Sequence, residues 1–317
     1  MLQIKLFIFY ASYLVFPFLV FILYKAKNWK NFKKYQKIFF SVFFVLSLIF
    51  IDARFIEPNY ILVQNTKINI WLEKKVKIAL ISDIHLWIYK KGDFAEKIVE
   101  KLNKLENIDY ILIAWDLTYL REDKNNHNLE ELFSSFKNIK KPVYWVLWNH
   151  DVELPWPEIR EKLIEKFKQY GLNYIDNKII ELEEFNLVWL WSHLSGEDDI
   201  EILEKINNSK KNIILTHNPD TTLKYKNNKA DLTLCWHTHW WQIRIPFLYK
   251  LALPVKWDFD KWLTQEKYTQ LFVTSWLGII GLPFRFLNPP VIDILEIEGN
   301  KNTILESNKK IENNNNF

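Results

Sequence analysis

The chain has 317 residues, 49% of them hydrophobic, and a formal net charge of +4. That length suffices for one sizeable domain plus extra elements, and so small a charge offers no basic footprint for nucleic acid. A single cysteine, Cys235, excludes an intrachain disulfide framework and any cysteine-rich zinc site. It reads as a small buried apolar residue.

Leu6 to Tyr24 carries no charge and is long enough to span a bilayer. Lysines 25, 27, 30, 33, 34 and 37 follow. A second apolar run, Ile38 to Ile51, is short for a span and is completed by tilt and by snorkelling lysines. The first run lacks a small-residue cleavage site, and its lysines come after it, which argues against a signal peptide. The pattern predicts a helical hairpin membrane anchor over residues 1–52. Its lysine loop would be cytoplasmic and the remaining chain extracytoplasmic. If the second run only lay at the interface, the remaining chain would be cytoplasmic.

After Asp52 the composition turns to soluble α/β, with a linker expected over 53–75. Val76–Ser82, Tyr110–Ala114 and Val143–Leu147 are short apolar runs that read as buried strands. Phe94–Leu105 has the apolar spacing of a helix, and Pro157–Tyr170 reads as an amphipathic helix with proline at its start. Leu187–Leu190, Asn212–Thr216 and Leu232–Cys235 are further strands, followed by Gln270–Thr274 and Val291–Ile297. The tail over 299–317, ending in ENNNNF, reads as a disordered polar segment.

Polar clusters stand at the ends of these strands. Ser82-Asp83-Ile84-His85 follows the first, Trp115-Asp116 the second and Trp148-Asn149-His150-Asp151 the third. Thr216-His217-Asn218 and Trp236-His237-Thr238-His239 follow later ones. Sites of α/β sheets gather at the carboxyl ends of strands. Asp, Asn and His offer oxygen and imidazole ligands suited to Mn, Fe or Zn. Each cluster alone is a weak signal; five in fixed order are not.

In that order the clusters resemble the signature of the calcineurin-like, two-metal metallophosphoesterases: Asp-x-His, Gly-Asp, Gly-Asn-His-Asp/Glu, a lone His and Gly-His-x-His. The resemblance covers about Val76 to Glu298, a domain expected over 76–298. It implies a four-layer α/β/β/α sandwich of two mixed sheets behind an N-terminal transmembrane anchor. It also implies a ligand set for two divalent metal ions. Asp83, His85 and His239 would bind one, Asn149, His217 and His237 the other, and Asp116 both. A bridging hydroxide would attack phosphorus, while His150 protonates the leaving oxygen and Asp151 orients its ring.

The departures from the signature are all at glycines. Trp87, Trp115, Trp148, Trp236, Trp240 and Trp241 stand where the family has glycine, and SWLG at 275–278 adds Trp276. A usage of about 7% predicts roughly 22 glycines at this length; the chain has 6, with 15 tryptophans. Glycine serves such turns by reaching positive φ or by letting backbones approach. The remaining composition, rich in Lys, Asn, Ile and Phe, suits an AT-rich genome. The expectation is that most of these tryptophans are UGA codons that the source organism reads as glycine. Trp29 and Trp71 have no such context.

The implied function is metal-dependent hydrolysis of a phosphoester, lipid-linked or of the cell envelope. The membrane bilayer is its expected partner, and no nucleic acid is expected. The apolar segment 245–254 suits access from the membrane surface, or equally packs as ordinary core. Two alternatives stay open: a catalytically degenerate membrane scaffold, with indoles filling the site, and a cytoplasmic nucleotide phosphodiesterase.

Overall fold

The computed structural model describes residues 2–86, 89–114, 116–118, 128–147, 159–175, 178–190, 200–206, 209–227, 229–235, 242–246 and 263–298. The chain begins with two helices, Gln3–Ala26 and Lys34–Asn59, both long and apolar enough to cross a membrane. They pack together in part through Phe18 and Phe43, whose ring centroids are 6.0 Å apart. Only 11% and 17% of their apolar windows are buried, so neither is packed into the domain as a core helix would be.

The second helix outruns its apolar stretch. Asp52–Ile56 continues it as a wide π-type turn and Glu57–Asn59 as a tight one. Arg54, three residues past the apolar run, is accommodated by the partner helix. Its guanidinium lies 4.4 Å from the centre of the Phe9 ring, and its Nε donates to Ser12 Oγ at 2.9 Å. A cation over aromatic faces retains favourable electrostatics where water is scarce.

The stretch 53–75, read as a linker, is therefore structured. It completes the helix and then forms β1 (Leu62–Asn69). This strand is polar and only half-buried because it lies at a sheet edge, so no apolar run announced it.

The remaining strands are β2 (Val76–Ser82), β3 (Tyr110–Ala114), β4 (Val143–Val146), β5 (Asn173–Tyr174), β6 (Ile179–Glu181), β7 (Phe185–Leu190), β8 (Lys211–Thr216), β9 (Leu232–Cys235), β10 (Leu263–Gln265), β11 (Gln270–Val273) and β12 (Val291–Glu298). They form two mixed six-stranded sheets, ordered β1-β12-β2-β3-β4-β5 and β10-β11-β9-β8-β7-β6. The expected α/β architecture is observed.

Period-two alternation orients the second sheet. Leu187, Trp189, Ile213, Leu215, Leu232 and Leu234 belong to the central core. Val188, Leu190 and Ile214 point the other way, into a smaller cluster with Ile202, Leu203 and Tyr225. Tight turns Ile200–Lys205 and Pro219–Lys224 supply that outer layer. On the first sheet, helices Gly92–Lys104 and Arg160–Gln169 place Phe94, Ile98, Leu163 and Phe167 in the core. The proline start expected for the latter helix and the 299–317 tail lie outside the described residues.

β2, β3 and β4 run parallel, and so do β7, β8, β9 and β11, so their carboxyl ends gather ligands at sheet edges. The two edges meet through Thr274, just past β11. Its hydroxyl donates to the carboxyl of Asp293 on β12. Burial pushes that carboxyl up to about 7, against the pull of the threonine bond.

Candidate metal centre

The backbone beyond β2 and β3 is wound tightly. Asp83 and His85 have φ of 46°, and Asp116 has φ of 43°. Left-handed backbone is uncommon for residues with a Cβ and costs roughly 1–3 kcal/mol each. Main-chain hydrogen bonds enforce it here. Asp83 N–H donates to Ala114 O (3.2 Å), His85 N–H to Asp116 O (2.9 Å) and Leu86 N–H to Leu117 O (3.0 Å). The two loops thus continue the β2–β3 pairing beyond the strands, as far as a bridge between Leu86 and Thr118.

This winding turns three side chains toward one point. One ligand atom from each of Asp83, His85 and Asp116 lies within 4.8 Å of the others. His85 Nε2 is 3.9 Å from Asp83 Oδ1 and 3.8 Å from Asp116 Oδ2. All three residues are buried, at most 1% exposed. Two carboxylates crowded away from water need a compensating cation. Two oxygens and one imidazole nitrogen are the donor chemistry of Mn, Fe or Zn. The residues present fit a divalent metal ion.

A third segment closes the site from the second sheet. Leu277 N–H donates to Ser82 O at 3.0 Å and Gly278 N–H to Asp83 O at 2.7 Å. The approach is so close that a Cβ at Gly278 would lie 2.5 Å from both Asp83 O and Ile84 O. Trp276, with φ of 58°, sets its ring edge-on to His85 at 5.6 Å. Behind them lies Arg285, fully buried, which donates to Gly278 O (2.7 Å), Ser275 O (3.1 Å) and Asn288 O (2.7 Å). Burial pulls its pKa down to about 9.

His217 is buried one residue past β8. β8 runs parallel to β9, whose last carbonyl, of Cys235, accepts from Thr274 N–H at 2.9 Å. His217 therefore stands at the edge from which residues 274–278 reach the metal loop. Asn149, His150, Asp151, His237 and His239 lie outside the described residues, as do Trp87, Trp115, Trp148, Trp236, Trp240 and Trp241. Asp83, His85 and Asp116, which the sequence singled out, are brought together, whereas no ligand motif included Gly278 or Arg285. The SWLG segment carried the only signal for the glycine. Nothing local marked the arginine.

The sequence model of the calcineurin-like phosphoesterases matches residues 76–241. The chain belongs to that family. Among curated relatives, an uncharacterized metallophosphoesterase of Campylobacter jejuni is 30% identical over 238 residues, covering 73% of this chain and 61% of its own length. One of Helicobacter pylori is 30% identical over 237 residues, covering 71% and 60%. One of Bacillus subtilis is 24% identical over 259 residues, covering 78% and 88%. The chain thus spans about three fifths of the length of the Campylobacter and Helicobacter relatives.

The contact at Gly278 gives this phosphoesterase domain a sharp prediction. Gly278→Ala should push the Asp83–Ile84 backbone outward and weaken manganese binding by about 10–100-fold, as loss of support behind a metal ligand does. Metal titration calorimetry on folded protein checks it. Unchanged affinity would remove Gly278 from the centre.

Proposed function

We propose that this chain is a membrane-anchored, metal-dependent phosphoester hydrolase. The observation that carries the reading is the buried Asp83–His85–Asp116 group at the carboxyl ends of β2 and β3, in a domain of the phosphoesterase family. Divalent cations bound there supply Lewis-acid polarisation of a phosphoryl group and a hydroxide nucleophile at neutral pH. In the proposed division Asp83, His85 and His239 would hold one cation, Asn149, His217 and His237 a second, and Asp116 would serve both. His150 gives its proton to the leaving oxygen, and Asp151 orients the imidazole. The substrate is a lipid-linked or cell-envelope phosphoester. The Asp-His-Asp group weighs against a degenerate scaffold, and the apolar hairpin against a cytoplasmic nucleotide phosphodiesterase.

Two variants separate the roles. Asp116→Ala should lose bound metal and all activity. His150→Ala should keep its metal and slow turnover by about 10²–10⁴-fold. Equal metal loss in both refutes the division. A metal-loaded protein that cleaves no phosphomonoester, phosphodiester or lipid phosphate refutes the enzyme.

The hairpin supports the anchor, because only 11% and 17% of its apolar windows are buried and water disfavours such surface. The lysine loop between the helices supports a cytoplasmic turn and an extracytoplasmic domain. Protease added to intact spheroplasts should then digest the domain, whereas protection until lysis would put it in the cytoplasm.

The tryptophans at glycine positions are proposed to be translated as glycine in the source organism. Supporting this, Trp276 occupies left-handed backbone, and so does Trp71, for which the sequence offered no context. Peptide mass spectrometry of the native protein should find the mass of glycine at 276. An intact tryptophan there ends the idea.

A further inference from the structure

The register of the first sheet fixes which edge of the domain meets the hairpin. β1 and β12 run parallel with Leu62 beside Val291, and β12 runs antiparallel to β2 with Asp293 beside Leu80. The start of β1, the start of β12 and the end of β2 therefore share one edge. The hairpin's second helix ends at Asn59, just before β1, and Asp83 follows β2 directly. Strand spacing and chain reach put the helix end within roughly 20 Å of the metal loop.

Side chains lock the two together. Beyond His85, Lys90 Nζ donates to Pro58 O (2.6 Å) and Asn59 Oδ1 (2.7 Å). Tyr89 stacks on Phe9 at 5.7 Å and donates to Gly281 O. The Glu57 carboxylate accepts from the Leu287 and Asn288 amides, Arg285 N–H donates to Ala53 O at 2.8 Å, and Phe284 packs on Phe50 at 5.1 Å. The anchor is thus docked on the segment that also supports the metal loop, not tethered to it by a flexible chain.

Helix rise then sets depth. From Lys34, at the lysine end, Phe50 is about 24 Å up the helix and Ala53 about 28 Å. A hydrocarbon layer of about 30 Å measured from that end reaches past both. In a bilayer spanned by the hairpin, their partners Phe284 and Arg285 would therefore lie at the far boundary. The same segment exposes Leu282 (44%) and Leu287 (53%). Residues 242–244 are bound to it through Gln242 Nε2 to Leu282 O and Arg244 N–H to Phe286 O, and carry Ile245, 41% exposed. Ile56 and Tyr60, at the helix end, are also exposed. Such apolar surface, continuous with the hairpin, fits lipid rather than a water-facing loop.

We propose that Leu282–Leu287, with Ile245, Ile56 and Tyr60, form a rim seated in the lipid headgroup layer, which turns the metal-ligand edge toward the membrane surface. The substrates within reach are phosphoesters at headgroup level; this last step rests on the hydrolase reading, and the rim itself does not.

The test uses the full chain in nanodiscs. A bimane label is placed on cysteine substitutions at Leu282 and at Leu287, and at Glu183 as a control. Glu183 is exposed at the opposite ends of the strands, and the native Cys235 is buried. Lipids brominated near the headgroup should quench labels at 282 and 287 but not at 183. Labels at 282 and 287 that escape quenching overturn the rim.

The variant L282N/L287N then separates surface from chemistry. Asparagine tolerates the left-handed backbone of Leu287 (φ 58°), and both side chains are exposed, so the variant should fold, which its circular dichroism checks. Its turnover of phosphatidic acid or phosphatidylglycerol in nanodiscs, relative to p-nitrophenyl phosphate or its bis-ester, should fall about tenfold, equivalent to ~1.4 kcal/mol. An unchanged ratio overturns the proposed access route. Quenching of both labelled variants, together with a wild type that cleaves none of these compounds, refutes the hydrolase reading and leaves the rim standing.

Discussion

Two carboxylates and an imidazole held within 4.8 Å of one another, away from water, are the constraint around which this domain is organised. Left alone, such a group repels itself and pays the desolvation of its charges. A cation removes the repulsion, but only if the backbone first brings the side chains together. It does so by left-handed turns at Asp83, His85 and Asp116, and those turns are strained. The strain persists because each turn is tied by main-chain hydrogen bonds to the neighbouring strand's loop or to residues 277–278.

That last support links the two sheets. Residues 274–278 leave the second sheet, and their amides reach the carbonyls of Ser82 and Asp83 in the first. Thr274 adds a hydrogen bond to the buried Asp293. Arg285 then gathers carbonyls of the same segment from below. A buried guanidinium is costly unless its donors are met, and here three carbonyls meet them at 3.1 Å or less. Its neighbour in the chain, Phe284, contacts the hairpin. The support of the metal loop and the docking of the anchor are therefore one piece of structure, so the centre has a set orientation to the helices.

The sequence by itself determined the two apolar helices, the alternation of strand and helix, and the candidates Asp83, His85 and Asp116 that the fold brings together, because these rest on local patterns. A charge-free run, a short β-branched stretch and an Asp-x-His at a strand end each carry their meaning within a few residues. The glycine deficit was also legible, as a matter of counting. Tertiary structure decided the rest. β1 is visible only as a partner of β12, since a polar edge strand has no apolar signal of its own. The second helix could continue through Arg54 only because Phe9, Ser12 and Phe55 receive the guanidinium. Gly278 meets Asp83 across about two hundred residues of chain, and Arg285 holds Gly278 from behind, through contacts that no spacing encodes. Ligand chemistry lives in side chains and can be read from them. The positions of the ligands depend on which backbones meet, and only the folded chain settles that.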